Sequence, residues 1–180
     1  CPLAQRPQGP RRACSGAAAA VMASEVASPI AAVEDDPYDP SLPNHERADI
    51  FRRRGNDLYG KAREIIKGLG GKASNLIAVQ ESVRLYKAAM QQYAEAVMLS
   101  PNDHRLFSNR ALCYLAVEDY PRCREDAERT LSLRPNFAKG YMLLARASWQ
   151  MGRVEEACET IERGLAALPG SKELTELKTD

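Results

Sequence analysis

The chain has 180 residues, of which 44% are apolar, 27% charged and only 6% aromatic, and its net charge is +1. Such a composition is globular and sized for one domain. The charge excludes the basic excess of a nucleic-acid binder, and no run approaches the roughly 20 apolar residues that cross a bilayer.

Residues 1–44 are rich in proline, carry an alanine run at 17–20 and show no helical period, so they are predicted to be disordered: too little apolar surface is present to offset the entropy of ordering them. Their basic, acid-free opening has some presequence character, yet Met22-Ala-Ser-Glu reads as an ordinary start, which would make residues 1–21 an extension. Helices begin after Pro43, with Asn44 as candidate cap and Glu46 in the first turn, where the helix dipole favours an anion. A first helix from Arg47 is followed by a partner over Tyr86 to Ser100. Between them lie Gly68-Leu69-Gly70-Gly71, which breaks a helix, and the flanking apolar residues Ile65, Ile66, Leu76, Ile77, Val79 and Val83.

Three prolines then mark a period. Pro101, Pro135 and Pro169 stand 34 residues apart, and each closes a similar apolar phrase. With Pro135 at position 32, one unit runs 104–137 and the next 138–171. Phe107, Ala111, Tyr114 and Cys123 occupy positions 4, 8, 11 and 20 of the first, and Tyr141, Ala145, Ala157 and Pro169 occupy positions 4, 8, 20 and 32 of the second. Asn102 or Asp103, and then Asn136, are the candidate caps. Ser171 to Asp180, with Leu174 and Leu177, suffice only for a short final helix, as in a fragment or a naturally short form.

These strings, above all Phe-Ser-Asn-Arg-Ala-Leu-Cys-Tyr (107–114) and Asn-Phe-Ala-Lys-Gly-Tyr (136–141), resemble the tetratricopeptide repeat of chaperone-binding co-chaperones. The resemblance implies an all-α helix-turn-helix solenoid of three repeats: a domain over 45–171 (repeats at 45–103, 104–137 and 138–171) with a capping helix at 172–180. Counting from Gly55 at position 8, the first closing proline belongs at residue 79 but stands at 101, a surplus of 22 residues. Both helices of the first hairpin are therefore expected to run past the usual turn, either packing on each other there or offering a second partner surface.

Positions 2, 5, 6, 9 and 12 share one face of a helix because spacings of three and four return to the same side. They read Asp49, Arg52, Arg53, Asn56, Tyr59; then Arg105, Ser108, Asn109, Leu112, Leu115; then Lys139, Met142, Leu143, Arg146, Trp149: five cations and one acid, a face for an anionic ligand. In the co-chaperones, a basic residue, two asparagines, a lysine and a second cation grip a chaperone's C-terminal carboxylate, and the resemblance carries these roles to Arg52, Asn56, Asn109, Lys139 and Leu143. Leucine cannot donate, so Arg146, one turn on, is the candidate replacement. Leu112, Met142, Leu143 and Trp149 are candidate apolar contacts for the rest of the peptide. Singly, Asn56 and Asn109 suit bonds between helices and Arg52 and Arg53 suit a solvated face; at matching offsets in three repeats they read together as a peptide site.

The function so implied is that of a cytoplasmic adaptor for acidic C-terminal peptides of Hsp70/Hsp90-class chaperones, a protein partner with no nucleic acid and no membrane. The alternative is an assembly scaffold that binds an internal segment of another protein through the long hairpin or the groove. No enzyme is expected: Gly68 to Lys72 lacks the preceding strand and the ending of a phosphate loop, and no nucleophile has a neighbouring histidine. With five cysteines in no Cys-x-x-Cys pair and only His45 and His104 as histidines, neither a disulfide framework, a metal site nor a cofactor is expected.

Overall fold

The computed structural model of the protein describes residues 36–68 and 75–179. Disorder was expected over residues 1–44, and residues 1–35 lie outside this range. Residues 36–43 do not fit that expectation. Asp36 Oδ1 and Asp39 Oδ1 accept from the backbone N–H two residues on, at 3.0 and 2.8 Å, folding the stretch into tight turns. Arg47 Nε donates to the Pro37 carbonyl at 2.7 Å, and the Tyr38 ring meets Phe51 edge-on at 5.5 Å, so the turns are fastened to the first helix.

Among the described residues seven helices follow: α1 (Asn44–Gly68), α2 (Leu76–Leu99), α3 (His104–Ala116), α4 (Tyr120–Leu133), α5 (Ala138–Gln150), α6 (Val154–Ala167) and α7 (Lys172–Thr179). They pack as the hairpins α1/α2, α3/α4 and α5/α6, with α1, α3, α5 and α7 touching in succession and α7 lying on α5 and α6. Among the described residues there is no strand, and no helix is long and apolar enough to cross a membrane.

Local chemistry accounts for most boundaries. Asp103 caps α3, accepting from Arg105 N at 2.9 Å; Asp119 caps α4, with Pro121 in its first turn; and Asn75 caps α2. Two expected caps are corrected. Asn44 is already helical, and Glu46 N and Arg47 N donate instead to the Pro43 carbonyl at 3.0 and 3.1 Å. At α5 the cap is Phe137, without a side-chain bond, rather than Asn136.

The 34-residue period reappears in the backbone. Glu118 N donates to Leu115 O and Asp119 N to Tyr114 O; one repeat later, Gly152 N donates to Trp149 O and Arg153 N to Ser148 O. In both turns the first of these residues is left-handed, Glu118 at φ 63° and Gly152 at φ 74°, the arrangement that satisfies the last carbonyls of a helix. Glutamate tolerates this conformation less readily than glycine.

α1 has 25 residues and α2 has 24, against 13 or 14 in each of the next four helices, so the surplus residues lengthen the first hairpin. Ala62, Tyr86, Ala89 and Tyr93 form its core, but towards the tip Ile66, Leu76 and Ile77 stand exposed. The second hairpin is locked by a partly buried ion pair in which Arg110 Nε and Nη2 each donate to Asp126 at 2.7 Å while the guanidinium lies over the Phe107 and Tyr114 rings. At the far end Leu174 of α7 is fully buried against the last hairpin.

Candidate functional site

The side chains nominated on α1, α3 and α5 meet in a chain of hydrogen bonds that crosses all three hairpins. Lys139 Nζ donates to Asn109 Oδ1 at 2.9 Å, and Asn109 Nδ2 donates to Asn56 Oδ1 at 3.1 Å. The same Asn56 oxygen accepts from the Tyr93 hydroxyl at 2.8 Å. This anchor on α2 was not singled out in the sequence, although Gly55 beside Asn56 is a signal for it: the glycine lets the Tyr93 ring lie directly on α1, where a Cβ would come within 2.7 Å of ring carbon Cε1.

The bonding fixes which way each amide points. Asn56 Oδ1 accepts two bonds and Asn109 Oδ1 one, so the remaining capacity is mainly donor capacity: the Asn56 NH₂, the second Asn109 N–H and two of the three Lys139 N–H bonds. Burial drives the Lys139 pKa below its ordinary value. Beneath it the buried Cys113 thiol is pushed up to about 12, also by burial, and is held neutral.

The other cations are not arranged as the sequence implied. Arg52 Nε and Nη2 both donate to Asp49 Oδ1, at 2.9 and 2.6 Å, and Arg53 Nε lies 3.6 Å from Asp49 Oδ2. Arg105 is bound by Asp103, a residue read only as a cap, with Nη2 2.8 Å from Oδ2. Asp49, Arg52, Asp103 and Arg105 line one cleft of about 810 Å³ together with His104 and Arg134. The face read as five cations and one acid thus contains a second acid.

Leu143 requires correction as a peptide contact. It is fully buried in the cluster that contains Ala111, Tyr141, Leu144 and Leu174, and presents no surface to a ligand. Leu112 and Met142 are half-buried against the same cluster. Arg146 is exposed and makes no hydrogen bond or ion pair among the described residues; with the exposed Trp149, Leu115, Ile161 and Leu177 it lines a different cavity of about 780 Å³ and takes no part in the Asn56–Asn109–Lys139 chain. Among the described residues no cluster of three or more His, Cys, Asp or Glu side chains is placed to hold a metal.

Residues 138–167 match the family model of the tetratricopeptide repeat. A solved structure described as the first tetratricopeptide domain of Spaghetti (RPAP3) bound to HSP90 peptide SRMEEVD aligns with a TM-score of 0.51 at 23% identity, covering 71% of this chain and 90% of that one. The chain has the tetratricopeptide-repeat fold. Among curated relatives, the U-box domain-containing protein 70 of Oryza sativa subsp. japonica is 33% identical over 131 residues, 73% of this chain and 14% of the relative. The Hsp70-Hsp90 organizing protein of Triticum aestivum is 31% identical over 137 residues, 76% of this chain and 19% of the relative. The chain thus resembles co-chaperones of this repeat class while spanning less than a fifth of the length of these relatives.

Proposed function

We propose that the chain is an adaptor that takes the acidic C-terminus of a Hsp70/Hsp90-class chaperone into the face shared by α1, α3 and α5, and that it does so in the cytoplasm. The observation that carries this reading is the donor-rich character of the Asn56, Asn109 and Lys139 side chains. A site whose open groups are mainly amide and ammonium N–H bonds suits a ligand that only accepts, and a terminal carboxylate is such a ligand. Its likeness to the organizing protein adds support, as does the HSP90 peptide seen on the solved domain. Arg52 is assigned to an acidic group of the same peptide, and Leu112, Met142 and Trp149 to its upstream side chains. With Leu143 buried, the part of the remaining cation is assigned to Arg146, acting from the cavity it lines beside Trp149.

The test is a calorimetric titration with the peptide SRMEEVD carrying either a free or an amidated C-terminus. Removal of a charge-assisted hydrogen bond costs about 1.5–3 kcal/mol. Lys139→Ala and peptide amidation are therefore each expected to weaken binding by about 10- to 150-fold. Equal binding of the two peptides would refute the carboxylate assignment. The exposed Ile66, Leu76 and Ile77 favour one other reading, a scaffold that binds an internal segment at the tip of the first hairpin; that activity would survive Lys139→Ala.

A further inference from the structure

The face proposed to receive a carboxylate already holds one of its own. Asp49 lies at the start of α1, one turn before Arg52 and Arg53, and its two oxygens are divided between them: Oδ1 accepts both bonds from the Arg52 fork, at 2.9 and 2.6 Å, and Oδ2 lies 3.6 Å from Arg53 Nε. Its side chain is 43% exposed, and that of Arg52 is 22% exposed, so the pair is reachable by a ligand and sits where Arg52 would have to act. Lys139 is in the opposite situation, its partner being the neutral oxygen of Asn109.

A guanidinium edge holds one carboxylate at a time in good geometry. Asp49 holds the Nε–Nη2 edge of Arg52, so a ligand's acidic group takes that edge only by exchange or docks on the Nη1–Nη2 edge, and in either case the Asp49 carboxylate stands close to the incoming negative charge. Arg53, already within 3.6 Å of Oδ2, gives the displaced group somewhere to turn. We infer that Asp49 is a built-in competitor for the ligand at Arg52, a specificity-determining residue that lowers affinity for an acidic peptide tail by occupying one edge of the Arg52 guanidinium and setting a negative charge beside the other, while leaving Lys139 unopposed. The inference rests on the adaptor reading above.

The experiment is a titration of SRMEEVD, with its free carboxylate, into the wild-type chain and into Asp49→Asn, Arg52→Gln, the double variant and Glu81→Gln. Coupling across exposed ion pairs, converted to affinity, sets the scale. Asp49→Asn is expected to tighten binding by about 1.4- to 5-fold, and the gain should shrink at high salt. In the Arg52→Gln background the gain should vanish, because Asp49 acts through Arg52. Glu81→Gln removes the same charge from α2, where Glu81 pairs with Arg84, and should leave the affinity unchanged. If the wild type binds but Asp49→Asn binds no tighter, or gains equally without Arg52, the competitor assignment is wrong and the groove reading stands. If neither the wild type nor Asp49→Asn binds the peptide, both fall.

Discussion

Gly55→Ala sets two known effects against each other where the Tyr93 ring of α2 lies directly on α1. An alanine in a helix interior is worth about 1 kcal/mol over glycine, so on an open helix face the change would stabilise. At Gly55 the new Cβ would lie 2.7, 2.8 and 3.0 Å from three carbons of the Tyr93 ring. Ordinary carbon–carbon contact is about 3.5–4.0 Å, so the ring must retreat by roughly 0.7 Å or more. Tyr93 is 1% exposed and its hydroxyl is tied to Asn56, which leaves little room for that movement. Overpacking of this kind costs about 1–3 kcal/mol, and loss of the Tyr93–Asn56 bond adds about 0.5–1.5 kcal/mol. After the helix gain, a net loss of about 2 kcal/mol is expected in urea denaturation, together with weaker peptide binding as Asn56 loses its anchor. In a Tyr93→Leu background the clash is gone and Gly55→Ala should become neutral or stabilising. A Gly55→Ala protein about 1 kcal/mol more stable than wild type would refute the argument.

Asp126→Ala leaves the partly buried Arg110 without its carboxylate and is expected to cost about 1.5–3 kcal/mol in urea denaturation, whereas Arg110→Met with Asp126→Leu should recover most of that loss. Because burial lowers the pKa of Lys139, the unfolded chain holds more protons than the folded one as pH approaches the ordinary lysine value of 10.5, and this group's contribution to stability rises with pH through that window. Peptide affinity should move the other way over the same window, falling as the ammonium is lost, and Lys139→Arg should flatten that profile in titrations run at increasing pH. Leu174→Ala removes the fully buried side chain that docks α7. The expected loss is about 2–5 kcal/mol, with hydrogen exchange showing α7 deprotected first.

The repeats were legible because their signals are local and recur. The prolines at 101, 135 and 169 mark the same 34-residue step as the left-handed turn residues 118 and 152, and the surplus before Pro101 measured the lengthening of α1 and α2. Resemblance nominated Asn56, Asn109 and Lys139, but which atom bonds which depends on how neighbouring hairpins stack, and so does the part played by Tyr93. Leu143 shows where fixed offsets fail. Position 6 is exposed at Arg53, half-buried at Asn109 and fully buried at Leu143, where an apolar side chain joins the cluster of Ala111, Leu144 and Leu174 instead of facing the groove. Asp103 was missed as a partner because a capping residue still has a second oxygen to give, and Arg105 takes it.

Solenoids respond to load like springs, each turn feeling only its neighbours. The amide-to-ammonium chain from Asn56 through Asn109 to Lys139 ties three successive coils together on one side, so it limits how far the spring can open there. Stretching or twisting the stack would strain those bonds, so a peptide seated there as proposed would feel the stack's deformation directly.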